Sequence, residues 1–184
     1  VNHLAITRSV DKSLLRWPTD EERDSEDPYF LGNQYFLDLS DLTLNDALEA
    51  LASDQLLVEM LRNGGLAEEP IGQDDSEFGD EAFGCLDVGV RGAVAAIAAS
   101  GGFPVASCNG GSFGTAHAYQ HPLVAFYCQP HCVDQIMAAA EMASVGLIHG
   151  TTDEGSLLLY SSDVDGLMDF ASKLIAALHS NSAR

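Results

Sequence analysis

The sequence predicts an α+β domain over residues 84–184, an α-β-β-α-β-β-α sandwich with a mostly antiparallel sheet and helices on one face. Three observations carry this. Apolar residues recur at helical spacing in three stretches: Val90, Val94 and Ile97; Val133, Ile136, Met137 and Ala140; Val164, Leu167, Ala171, Leu174 and Leu178. Short apolar runs of strand length, at 103–107, 122–128, 146–149 and 156–160, fall in pairs between those helices. Strand pairs separated by helices give a sheet covered on one side.

Upstream, residues 1–66 are expected to form an arm followed by short helices. The arm reads as polar and irregular, with Trp17 as a packing anchor, since an isolated indole in a polar arm most often pins it to apolar surface. Gln34–Leu39 is a strand candidate by its aromatics. Thr43 with Asp46 three residues on makes an acidic capping box, opening a helix with Leu44, Ala47, Leu48 and Leu51 on one face. Ser53 or Asp54 is expected to cap a second helix carrying Leu56, Leu57, Met60 and Leu61, stopped by Gly64-Gly65. Residues 67–83 are acidic and aperiodic and read as a linker.

Within the domain, Asp87 is expected to cap the first helix and Gly101-Gly102 to end it. Pro104 marks the next run as an edge strand or a strand's first residue, because proline cannot donate to a ladder. Pro122–Cys128 is almost continuously apolar and so central. Pro130 suits the first turn of the second helix. Thr151–Gly155 reads as a hairpin turn, and Ser162 or Asp163 as the cap of the last helix.

Between the first two strands lies the stretch richest in reactive groups. Ser107-Cys108-Asn109-Gly110-Gly111-Ser112-Phe113-Gly114-Thr115-Ala116-His117, running on to His121, holds a thiol, an amide, three hydroxyls, three glycines and two imidazoles. Consecutive glycines let backbone N–H groups converge on a carboxylate or phosphate. Ser107, Asn109, Gly110, Gly111, Ser112 and His117 are therefore the expected ligand-binding set, although a turn needing φ > 0 explains the glycines equally. Cys108 and His121 are the expected catalytic pair if a reaction occurs, a thiolate–imidazolium couple of a transferase or hydrolase, with Asp153 or Glu154 to orient the imidazole. Cys108, His117 and His121 are also soft enough for zinc, but their spacing is not that of a finger, and no metal is assigned. The cofactor is unknown. Cys85 and Cys128 read as buried small hydrophobes, while Cys132, at a helix start, is expected to have a lowered pKa.

Charge narrows the partners. Eight Lys and Arg against 28 Asp and Glu give a formal charge of −20, which repels phosphate backbones, so no nucleic acid is expected. No apolar run reaches bilayer length and no signal-like segment opens the chain, so no membrane and a cytoplasmic address are expected. Two functional classes follow. One is a pocket protein holding a small polar or anionic ligand at the Ser107–Gly114 loop. The other is an acidic interaction protein, of the immunity or inhibitor type, whose carboxylates cover a basic partner.

The layout of residues 86–170 resembles the wybutosine-synthesis N4-methyltransferase family: an apolar helix, an extended Ala106-Ser107-Cys108 followed by Asn109-Gly110, a Pro-Leu-Val-Ala-Phe strand at 122–126, then an alanine-rich helix ending in Val145-Gly146. That family carries Ser-Cys-Ser-Gly-Arg where this chain has Ser107-Cys108-Asn109-Gly110-Gly111, without the arginine. The resemblance implies the fold and the position of a pocket. The family's activity, methylation of a tRNA base with S-adenosylmethionine, sits against a charge of −20 and is not carried over. Short bacterial proteins with a similar Ser-Cys-x-Gly-Gly or Gly-His loop look closer still.

Overall fold

The computed structural model describes residues 4–20, 39–66, 83, 86–113, 119–151 and 154–182. Among them the chain forms strands β1 (Arg8–Ser9), β2 (Gly102–Cys108), β3 (Leu123–Cys128), β4 (Gly146–His149) and β5 (Leu157–Tyr160), and helices α1 (Leu44–Arg62), α2 (Arg91–Ala99), α3 (Val133–Met142) and α4 (Val164–Ser182). The sheet runs β1-β4-β5-β3-β2, antiparallel at every pairing except β1 with β4. This is an α+β fold with a mostly antiparallel sheet. Pro104 sits on β2, at the sheet's edge, and a register shift between Pro104 and Ala106 bends the strand there. β3, which the sequence makes nearly all apolar, is paired on both sides.

Side chains alternate across a strand. Val124, Phe126, Leu147, Leu157 and Leu159 join the helices in one core, with Ile97 from α2, Ile136 from α3 and Leu167 and Leu174 from α4, all with no exposed surface. α1 lies outside these, packed on α2 and α4, and contributes Ala47, Leu51, Leu57 and Val58 to the same core. The opposite face of the sheet holds a smaller group, Phe103, Val105 and Tyr127. Trp17 packs edge-on against Phe103 with ring centroids 5.6 Å apart, and the Arg16 guanidinium lies 5.1 Å from the centre of the Tyr127 ring. The expected anchor role of Trp17 is met there.

Local signals fix most helix ends. The Thr43–Asp46 box is closed, with the Thr43 amide donating to Asp46 Oδ2 at 2.6 Å and the Asp46 amide to Thr43 Oγ1 at 3.4 Å. Asp163 Oδ1 accepts from the Gly166 amide at 3.0 Å, capping α4 as expected. Other expectations need correction. Residues 44–62 form one helix, not two, because Asp54 turns its carboxylate inward to another helix instead of opening a new one. α2 begins at Arg91 after a turn at 87–90, so Asp87 does not cap it. α3 begins at Val133, with Pro130 in the turn before it. The arm is not wholly irregular either: Arg8–Ser9 adds a parallel strand to β4, and the Leu147 amide donates to the Thr7 carbonyl at 2.9 Å. The Tyr160 hydroxyl holds the same segment, accepting from the Thr7 amide and donating to the Ala5 carbonyl.

The candidate strand at 34–39 except Leu39, the acidic linker 67–83 except Phe83, and Cys85, Gly114, His117 and Asp153 lie outside the described residues. Among the described residues no helix is long and apolar enough to cross a membrane.

Candidate functional site

β2 ends at Cys108, and the chain then turns sharply through two residues in the left-handed region, Gly110 at φ 67° and Gly111 at φ 73°. Only glycine takes such angles without strain. Gly110 has a second constraint, because a Cβ there would stand 2.6 Å from the His121 carbonyl carbon. The loop thus rests directly on the backbone that leads into β3, and this is how His121 and the glycines come together.

The loop's donors are engaged within it. The Gly110 amide donates to Cys108 Sγ at 3.3 Å, the Gly111 amide to Asn109 Oδ1 at 3.0 Å, and the Ser112 amide to the Asn109 carbonyl at 3.3 Å. The Ser112 hydroxyl donates to that carbonyl at 2.6 Å. Asn109 is fully buried and fastens the loop to the turn before α2, its amide donating to Asp87 Oδ2 at 3.0 Å and its Nδ2 to the Val88 carbonyl at 3.3 Å. Asp87, expected as a helix cap, serves this loop instead. The amides of residues 110–112 stabilise the loop's own shape, so the glycines are explained by backbone conformation.

The same turn is gripped from its other side by Asp54, which the sequence reading treated only as a cap. Its Oδ1 accepts from the Gly89 amide at 2.7 Å and its Oδ2 from the Gly92 amide at 2.8 Å. Burial pushes this carboxyl up to about 6, against the pull of the Gly92 and Gly89 amides and the Arg91 charge. Arg91 is itself buried, with Nε donating to the Leu86 carbonyl at 3.0 Å. A sequence signal for Asp54 existed: 47, 50/51, 54, 57/58 and 61 is a helical stripe, and an acid within an apolar stripe must find internal donors.

Ser112 and Phe113, not Gly110 or Gly111, reach open space. They form one wall of a cleft of about 510 Å³, completed by Leu61 and Arg62 at the end of α1, by Leu66 beyond it, and by Asp163 and Val164 at the start of α4. Of the expected binding residues, Ser112 lines this cleft. Ser107, Cys108, Asn109, Gly110, Gly111 and His121 do not line it, and Cys108 is only 5% exposed. A second, open groove of about 600 Å³ runs between α1 and α4. The Arg62 guanidinium, at the border of both, is held by Asp165 through two bonds of 3.0 and 2.8 Å.

Among the other cysteines, Cys128 is buried as expected, its thiol pushed up to about 12 by burial and then by the neighbouring Cys132. Cys132 reverses its expectation: burial raises its pKa, since it is turned into the core and not toward solvent at a helix end. Among the described residues no group of three or more His, Cys, Asp or Glu side chains could hold a metal ion. No family model matches the chain, and neither curated proteins nor solved structures give a match.

Proposed function

We propose that the protein binds a small ligand, with an apolar body and one polar or anionic end, in the cleft beside Ser112 and Phe113 of the Ser107–Gly114 loop. The observation that carries this reading is the meeting of Ser112 and Phe113 with Leu61, Leu66 and Val164 around about 510 Å³, a volume typical of ligand sites. The Ser112 hydroxyl oxygen, whose proton goes to the Asn109 carbonyl, can accept from a ligand hydroxyl; an anionic end would have to share Arg62 with Asp165 and keep clear of Asp163, and the leucines and Phe113 suit the apolar part. The buried contacts of Asn109 and Asp54 favour binding because they fix the loop before a ligand arrives, which lowers the ordering cost of association. Cys108 and His121, which do not line the cleft, are the groups to which any accompanying reaction falls.

A thermal-shift screen of small carboxylates and alcohols with short apolar chains tests the reading. A ligand that binds only the folded chain raises the melting temperature by several degrees when well above its dissociation constant. The shift should vanish in Phe113→Ala and shrink in Arg62→Gln. A screen without hits, or hits that persist in Phe113→Ala, removes the cleft as the site. Reactivity is a separate matter: a nucleophilic Cys108 alkylates with iodoacetamide faster than Cys128 and Cys132 at neutral pH, and equal rates exclude that role.

A further inference from the structure

α1 is apolar on two sides. Its inner stripe enters the core, while Leu48, Ala52 and Leu56, four residues apart, form a row on the opposite side. Leu48 is 48% exposed and Leu56 54%, among the few large hydrophobic side chains left in solvent. This second row is why the helix reads as barely amphipathic in sequence. Beside it runs the groove between α1 and α4, whose floor includes the buried side chains of Val58 and Met168 and whose rim carries Glu59 and Asp169.

The charges around this surface are one-sided. Arg62 is the sole cation of α1 and Lys173 that of α4, and each is paired with a carboxylate of α4, Asp165 and Asp169. Glu49 and Glu59 have no partner among the described residues. A second copy of the chain would bring the same carboxylates and a further −20 against this face, so the charge disfavours self-association. An apolar row flanked by the carboxylates of Glu49 and Glu59 is complementary to one kind of occupant, an amphipathic segment carrying Lys or Arg beside its leucines.

We propose that the outer face of α1, with the α1–α4 groove beside it, docks a basic amphipathic helix of a partner protein. The leucines of the partner lie along Leu48–Leu56, and its cations meet Glu49, Glu59 and the groove. This surface meets the loop cleft only at Arg62, and the proposal stands whether or not that cleft holds a ligand.

The test uses the full chain, isotopically labelled, and a synthetic amphipathic helical peptide of Leu and Lys, with a Leu/Glu peptide of the same pattern as control. The Leu/Lys peptide is expected to bind, to shift amide resonances of α1 and α4 selectively, and to lose about tenfold in affinity in Leu48→Gln/Leu56→Gln, which keeps every charge and the helix propensity. The Leu/Glu peptide is expected not to bind. Undiminished binding to the double variant reduces the effect to general attraction by an acidic surface and overturns the proposal. Absence of binding overturns it as well. A concentration-dependent dimer abolished by the same two substitutions assigns the face to a second copy and overturns it too.

Discussion

Between about pH 7.5 and pH 5, the Asp54 carboxyl takes up protons in the folded chain while its unfolded counterpart stays ionised. Its folded value of about 6 lies above the ordinary 3.8, so its contribution to stability is full below 3.8 and lost as pH rises through 6. Acidification over that window should therefore add about 1 kcal/mol from this group. Other carboxylates on a chain of charge −20 also respond, so the measurement is a difference: urea unfolding of wild type and Asp54→Asn at several pH values, with the variant showing the smaller gain. At neutral pH, Asp54→Ala should cost about 2–4 kcal/mol, since it leaves the Gly89 and Gly92 amides buried without acceptors. A variant as stable as wild type at pH 7 would show that water replaces the carboxylate there.

At the scale of elements, the arm and the sheet depend on a few contacts across a long separation in sequence. Tyr160→Phe removes the hydroxyl that holds the backbone at Thr7 and Ala5. The Leu147 amide, which donates to Thr7, should then exchange its hydrogen markedly faster, with global stability changed by less than about 1 kcal/mol. Unchanged exchange would mean that Trp17 and Arg16 suffice to hold the arm. Elements whose cause is local were legible in the sequence: the Thr43–Asp46 box, the Asp163 cap, the edge position announced by Pro104, and the turn conformation of Gly110-Gly111. Elements whose cause is distant were not. Nothing near Arg8–Ser9 announces a strand, because its partner lies more than 130 residues away. Ser53-Asp54 looked like a helix start because a cap and an inward-facing buried acid share one residue type. Of the candidate site, the loop was legible from its composition, but the cleft needs α1 and α4 beside it and no spacing in the loop encodes them.

For the molecule as a whole, charge is the dominant property. Each of the six described cations is engaged within the chain: Arg8 on the Val145 carbonyl, Lys12 on Asp134, Arg16 on the Glu154 carbonyl, Arg62 on Asp165, Arg91 on the Leu86 carbonyl and Lys173 on Asp169. The net repulsion should fall as ions screen it. Raising NaCl from about 0.05 M to about 0.5 M is expected to raise the melting temperature by a few degrees, even though the exposed pairs weaken. A melting temperature that falls with salt would mean those pairs outweigh the general repulsion.

The two margins of the sheet are finished in different ways. On one, Pro104 and the irregular register of β2 leave a broken line of donors; on the other, two residues of the arm occupy β4. Neither margin offers a long, straight template to a neighbouring molecule, and open templates of that kind are where native sheets begin to stack into fibres. By lying along Gly146–His149, the arm shields the more regular margin from intermolecular stacking, so chains that lose the arm should be the first to precipitate.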